Sequence, residues 1–131
     1  MEKAKQEALR CVENAREILS EKAGKSEGWY TDPKYVKMAG NTLWNGVLLA
    51  LDYRFPEVRK GKGRTSQGKY REHIRDGKAA RLFETGYQVC HLSMGYDGYG
   101  KERIVREAIR DVKALIDPKI ALANLYRAFH S

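Results

Sequence analysis

The residues with the clearest chemical potential are ten lysines and arginines that fall between positions 54 and 81. They face only three acidic residues there, so this basic segment carries +7 of the formal net charge of +8. The other 103 residues hold 15 basic and 14 acidic side chains and are nearly neutral. A local excess of positive charge favours an anionic partner. The residues expected to bind it are Arg59, Lys60, Lys62, Arg64, Lys69, Arg71 and Arg75.

The same segment contains a near match to a nucleotide-binding phosphate loop. Residues 63–70 follow the spacing of the two glycines and the lysine, but Tyr70 stands where a Ser or Thr hydroxyl should hold magnesium. The residues before the loop also lack the pattern of a buried strand, so we reject a nucleotide-hydrolysing loop. A flexible anion-binding loop stays open as an alternative. A solvated charged loop is the favoured interpretation.

Histidine and cysteine offer a second kind of chemistry. Glu84, Tyr87 and His91 fall on one side of a predicted helix, which would allow a histidine base oriented by a carboxylate. We favour a half-buried structural histidine, because no nucleophile is placed with it. Cys90 adjoins His91 and therefore points in another direction, and no second Cys or His lies at ligand spacing. No catalytic residue, metal ion or cofactor is expected.

A set of polar residues could line a pocket. Asn41, Asn45 and Asp52 project within a narrow arc of a predicted helix, either as its solvent edge, which we favour, or as one wall of a pocket. A glycine-rich turn follows the fourth helix, and its tyrosines could stack on bases. The favoured alternative is that Asp97 in this turn caps the next helix. The candidate pocket comprises Asn41, Asn45, Asp52, Glu84, Tyr87, His91, Tyr96 and Asp97.

Apolar residues recur at helical spacing along almost the whole chain, and no stretch alternates like a strand. This spacing predicts helices over about residues 3–22, 33–55, 66–76, 78–94 and 101–116. Asp32-Pro33 has the composition of a helix start, and Asp117-Pro118 repeats it before a sixth helix. The prediction is an all-α, up-down bundle of about six helices that forms a single domain over residues 1–131.

The second helix is expected at the centre of this bundle, because its apolar residues cover well over half of its circumference. Gly40 and Gly46 weaken its helix propensity and are expected where another helix approaches closely. The fifth helix is amphipathic. Its outer face carries Arg103, Arg106, Arg110 and Lys113.

The composition, 42% hydrophobic and 32% charged, is typical of a soluble globular protein. The longest aliphatic run, residues 47–51, is far shorter than the roughly 20 residues of a membrane span. The first residues lack an apolar signal region, so a cytoplasmic location is expected. Cys11 and Cys90 fall on apolar helical stripes and are expected to be buried thiols rather than a disulfide.

Several of these segments resemble known helical families. The alanine-rich stretch 8–19, the small-residue second helix and residues 87–92 are similar to HEPN bundles and to the substrate-binding subunits of small nucleotidyltransferases. Residues 32–36 and 94–98 more closely resemble a small, uncharacterised, all-helical bacterial family. Ribonuclease-type HEPN proteins carry an arginine five to seven positions before a histidine. Since His73, His91 and His130 have none, the resemblance implies a non-catalytic member that binds a partner or ligand.

The leading hypothesis is a non-enzymatic, HEPN-like interaction module that presents the basic segment to an acidic protein or a small anion. The alternative is a nucleic-acid-binding protein, in which the same cations neutralise phosphates and a tyrosine stacks on a base. An enzyme that uses His91 ranks below both. The apolar helix faces would also permit a homodimer.

Overall fold

Five helices form most of the structure, a computed structural model that describes residues 2–58, 67–74 and 77–119. Helix α1 spans Glu2–Ile18, α2 spans Pro33–Arg54, α3 spans Gln67–His73, α4 spans Gly77–Thr85 and α5 spans Glu102–Ile116. Helix α1 continues as a short π-helix over Leu19–Ala23, and α4 continues as a longer one over Gly86–Met94. Pro56–Val58 form a 3-10 turn. The all-α class predicted from the apolar spacing is confirmed.

Two of the helix starts form as the sequence predicts. A carboxylate oxygen of Asp32 accepts a hydrogen bond from the backbone N–H of Lys34 at 3.0 Å, and Pro33 occupies the first helical position. Asp117 makes the equivalent 3.0 Å bond to the N–H of Lys119. The remainder of the predicted sixth helix lies outside the described residues.

The predicted cap of the fifth helix is wrong. Lys101 occupies the N-cap position of α5 and makes no side-chain bond to the first turn. Asp97 is exposed in the preceding turn, and residues 98–100, which form neither helix nor strand, separate it from the start of α5. The carbonyl of Gly100 accepts a hydrogen bond from the N–H of Tyr30 at 2.8 Å, which holds this segment against β2.

A small hairpin that the sequence analysis did not predict joins α1 to α2. Strand β1, Lys25–Ser26, pairs antiparallel with β2, Trp29–Tyr30. The turn residues Glu27 and Gly28 have φ values of 51° and 85°, as tight hairpin turns require. Strands of two residues are too short for alternation, so only the turn could have indicated them. The N–H of Glu102 donates to the carbonyl of Gly28 at 3.0 Å and fixes the hairpin to the start of α5.

Helix α2 is central, as predicted, and packs against α1, the longer π-helix and α5. Both of its inner glycines lie at close contacts. A Cβ atom at Gly40 would come within 2.7 Å of the carbonyl oxygen of Cys90 and 2.6 Å of the N atom of Gly95. At Gly46 it would lie 3.2 Å from the Cβ of Cys11. The backbone of the π-helix therefore rests directly on α2.

The two cysteines are free thiols, as predicted. Cys90 is fully buried, and this burial raises the pKa of its thiol to about 12. Cys11 is half-buried, and desolvation, with a smaller contribution from Glu7, raises its thiol pKa as well. Neither environment favours a reactive thiolate.

No helix within residues 2–58, 67–74 and 77–119 combines the length and apolar character needed to cross a bilayer. The expected cytoplasmic location stays a prediction.

Candidate functional site

The basic segment, which the sequence analysis placed at the binding surface, lies partly within the described residues. Lys69 and Arg71 are exposed on α3. Arg54 is engaged internally, since its guanidinium donates to the carbonyl of Leu115 at 2.9 Å. The predicted binding residues Arg59, Lys60, Lys62, Arg64 and Arg75 lie outside the described residues.

Arg71 connects α3 to α4 and its π-helical continuation. Its guanidinium makes two hydrogen bonds to the carboxylate of Glu84, one through Nε and one of 3.3 Å through Nη2. The same guanidinium lies over the rings of Phe83 and Tyr87, 5.6 and 5.2 Å from their centroids. The bonds to Glu84 raise the pKa of Arg71. The planar guanidinium of Arg71 is held by a carboxylate and two aromatic rings, so its role here is to join the helices.

Tyr70, the residue that breaks the phosphate-loop pattern, is part of the core. It is 1% exposed, and its hydroxyl donates to a carboxylate oxygen of Asp52. Burial of this ring explains why a tyrosine follows the glycines. The contact also accounts for Asp52, which the sequence analysis assigned to the solvent edge of α2 or to a pocket.

The histidine of the candidate pocket lies in an aromatic cluster. The imidazole of His91 stacks on the indole of Trp44, with ring centroids 5.0 Å apart and planes 23° apart, and the ring of Tyr87 lies 5.6 Å away. The Nδ1 atom of His91 is buried and has no hydrogen-bond partner within the described part of the chain. Glu84, which could have oriented this ring, binds Arg71 instead. The geometry is that of a packed ring rather than an oriented base.

The candidate pocket residues are brought together only in part. Glu84, Tyr87 and His91 form one group along α4 and its π-helix, whereas Asp52 pairs with Tyr70. Asn41 lies near the glycine-rich turn, where its Nδ2 is 3.5 Å from the carbonyl of Gly95. The side chains of Asn45, Tyr96 and Asp97 are exposed.

A cationic groove lies between the end of α1 and the outer flank of α5. Its volume is about 470 Å³, and none of the described residues that line it carries a carboxylate. Four of its lining side chains are positively charged, and the others are Tyr30, Ser20 and two aliphatic residues. The lining residues of this α1–α5 groove are Arg16, Leu19, Ser20, Tyr30, Arg106, Ile109, Arg110 and Lys113.

The cations of the α1–α5 groove are weakly neutralised. Arg16 lies 3.8 Å from Glu13 in an exposed pair, and Arg106 pairs with Glu102 one turn earlier on α5. Exposed pairs of this kind are worth about 0–1 kcal/mol, so an incoming anion can displace them. Arg110 and Lys113 form no ion pair with any of the residues that the structure describes.

A second recess, the hairpin cavity, adjoins the groove and shares Arg106 and Arg110 with it. It has a volume of about 510 Å³, and the exposed indole of Trp29 contributes to its wall. Three glutamates and four cations line it, so its charge is nearly balanced. The lining residues are Glu27, Gly28, Trp29, Lys101, Glu102, Arg103, Arg106, Glu107 and Arg110.

The sequence analysis did not predict the groove, although it identified three of its four cations. It placed Arg106, Arg110 and Lys113 on the outer face of α5 but interpreted that face as solvated. Arg16 and Tyr30 carried no signal, because each depends on α1 and β2 lying beside α5. The spacing of three cations along α5 was the only available clue.

The structure defines the protein as an all-α bundle with a cationic groove. The chain belongs to the family described as Domain of unknown function (DUF5618), whose model matches residues 3–120. It is similar to a solved protein of unknown function from Dyadobacter fermentans, with 39% identity over 92% of this chain and 96% of that chain and a TM-score of 0.83. Comparison with curated proteins gives no match. The predicted membership of an uncharacterised all-helical family is thereby confirmed.

Proposed function

We propose that the protein is a non-catalytic, HEPN-like interaction module that binds an acidic partner or ligand in the α1–α5 groove. The observation that carries this proposal is the lining of the groove, in which the described residues supply four cations and no carboxylate. A concave surface of one charge sign concentrates the opposite charge and accelerates association.

The packing around the most reactive side-chain types supports a binding role rather than a catalytic one. Cys90 is buried with a pKa near 12, so its thiol is protonated at neutral pH. The Nδ1 atom of His91 has no partner that could hold the ring as a base. Cys90 is fully buried, and His91 is half-buried against the indole of Trp44.

The groove and the basic segment make separate predictions about where an acidic partner binds. The groove lies on the α1 side of α5. On the other flank, Asp111 of α5 receives a hydrogen bond from Thr85 and lies near Arg81 of α4. Separate variants of the groove and of the basic segment therefore distinguish the two sites. The groove is the better candidate, because Arg110 and Lys113 form no ion pair with the described residues, whereas Arg54 and Arg71 are bound within the fold.

Binding to a fluorescently labelled polyglutamate peptide tests the proposal. The groove variant combines Arg106→Gln, Arg110→Gln and Lys113→Gln. The control variant combines Lys3→Gln, Arg10→Gln and Lys37→Gln, which remove the same charge from exposed positions outside both recesses.

We expect the groove variant to bind at least roughly tenfold more weakly than the wild type, with the control within about threefold, because local contacts outweigh net charge at moderate salt. Equal losses in both variants would mean that only net charge matters. A larger loss in a variant with Arg59, Lys60 and Lys62 changed to Gln would move the site to the basic segment.

A further inference from the structure

We propose that the acidic ligand is a single-stranded nucleic acid, with one base stacked on Trp29 and the adjoining phosphates bound along the α1–α5 groove. This inference rests on the proposed function and names its ligand class. Its starting observation is that the hairpin cavity, which contains the exposed ring of Trp29, adjoins the cationic groove. The two recesses share Arg106 and Arg110.

The ring of Trp29 is both exposed and held in place, as stacking on a ligand requires. Its side chain is 43% exposed, although its backbone is held between β1 and a bridge to Lys101. The ring of Tyr99 meets it edge to face, with centroids 5.4 Å apart and planes 83° apart. A ring already fixed by its neighbours loses little side-chain entropy when a ligand stacks on it.

The charges of the two recesses assign base and phosphate to different places. In the hairpin cavity, Glu102 pairs with Arg106, and Glu107 lies 3.9 Å from Arg103, so donors and acceptors alternate around Trp29. A neutral base edge can hydrogen-bond to such a mixture, whereas a phosphate would meet the carboxylates. The neighbouring groove has four cations and no carboxylate among the described residues that line it, and therefore suits the phosphates.

The length of the cationic surface favours a strand over an isolated anion. The groove cations Arg106 and Lys113 are seven residues apart on α5 and hence about 10 Å apart along its axis, at 1.5 Å per residue. This distance exceeds the size of one phosphate group. Stacking on Trp29 also requires a base that is free of its neighbours, as in a single strand rather than a duplex. An acidic peptide would use the cations but has no need of the indole.

The experiment measures binding of labelled oligothymidylate, the corresponding duplex and polyglutamate of equal charge by fluorescence anisotropy across a salt series. The proteins are the wild type, the groove variant, its charge-matched control, and Trp29→Leu and Trp29→Phe. Trp44→Phe leaves Trp29 as the sole tryptophan, so quenching of its emission reports stacking directly. Circular dichroism and thermal unfolding verify the fold of each variant.

We expect the single strand to bind more tightly than the duplex and to quench Trp29. Trp29→Leu should weaken this binding roughly 5- to 100-fold, as loss of one stacked base does, and leave polyglutamate binding unchanged. Trp29→Phe, which keeps a ring, should retain most of the affinity. The groove variant should lose affinity and show a shallower dependence on salt than its control.

Several outcomes would overturn the inference. If Trp29→Leu and Trp29→Phe bind the single strand as the wild type does, no base stacks there. If polyglutamate or duplex binds more tightly than the single strand, the ligand class is wrong. If free thymidine monophosphate competes as well as the oligonucleotide, the ligand is a nucleotide and not a strand. In each of these three cases, polyanion binding that depends on the groove would leave the proposed function intact. If no polyanion binds at all, the proposed function is wrong as well.

Discussion

The indole of Trp44 and the imidazole of His91 stack face to face, 5.0 Å between centroids, at the contact between α2 and the longer π-helix. Trp44 is 8% exposed, so this pair closes the core on that side. His91 was the strongest catalytic candidate in the sequence, and its main observed contacts are with aromatic rings. Its substitutions therefore separate a structural from a chemical role.

His91→Phe should preserve the fold and match or exceed the wild-type stability. Phenylalanine keeps the stack on Trp44 and removes the buried Nδ1 that lacks a hydrogen-bond partner. His91→Ala should destabilise the protein by about 1–2 kcal/mol, less than for a fully buried ring, because the side chain is half-buried. Urea unfolding measures both. Strong destabilisation by phenylalanine would show that the imidazole nitrogens have an essential partner.

Gly40→Ala should destabilise the bundle by about 2–3 kcal/mol, since its methyl group would meet backbone atoms of Cys90 and Gly95 at 2.6–2.7 Å. Gly46→Ala is the matched control on the same helix. Its nearest neighbours lie at 3.2 and 3.3 Å, and the gain in helix propensity of about 1 kcal/mol offsets the tighter contact. Chemical denaturation gives the free energy of unfolding of each variant for comparison with the wild type. Equal effects would contradict the close approach at Gly40.

Asp111→Asn should stabilise the protein at pH 7 and have little effect at pH 3. Burial raises the pKa of Asp111 in the folded state, although the nearby Arg110 and Arg81 oppose this effect. The folded state then binds the proton more tightly than the unfolded state. Stability is therefore lost as the pH rises from the unfolded pKa of Asp111 through its higher folded pKa.

Asparagine mimics the protonated form and can still accept the hydrogen bond from Thr85. The melting temperature across pH 3–8 tests the prediction, with Glu107→Gln as an exposed charge change on the same helix. A destabilised Asp111→Asn at pH 7 would mean that attraction to the arginines dominates burial.

Asp117→Asn should have the opposite dependence on pH. The side-chain hydrogen bond from Lys5, whose Nζ lies 2.7 Å from the carboxylate, lowers the pKa of Asp117. The stability from this pair is present above the unfolded pKa of about 4 and is lost as pH falls through the folded pKa. Asparagine can keep the cap on Lys119 while removing the charge.

The variant should therefore melt below the wild type at pH 7 and converge with it in acid. Lys5→Gln should weaken the effect of Asp117→Asn, as expected for a coupled pair. A difference between the wild type and Asp117→Asn that persists at pH 2 would assign the loss to the cap and not to the ion pair.

Local features of the fold were predictable because their causes lie within a few residues. The cap of α2 at Asp32 needs only its own side chain and the N–H of Lys34. Helical periodicity placed α2 at the centre, and the glycines on its buried face indicated the close approach of another helix. The hairpin was not predicted because its turn residues, Glu27-Gly28, are not one of the dipeptides common in hairpin turns.

The candidate site depended on contacts that no local pattern carries. Charge counting found the basic segment, yet Arg71 within it is held by Glu84, and the cation-only groove combines Arg16 of α1 with Lys113 of α5. Trp29 gains its place beside those cations only through backbone bonds to the start of α5. The sequence by itself determined the helices, the caps at Asp32 and Asp117 and the apolar face of α2, since short-range hydrogen bonds and periodicity specify them. Only the tertiary structure decided which charges stay open to a ligand, because distant helices must pack before their polar faces can neutralise or reinforce one another.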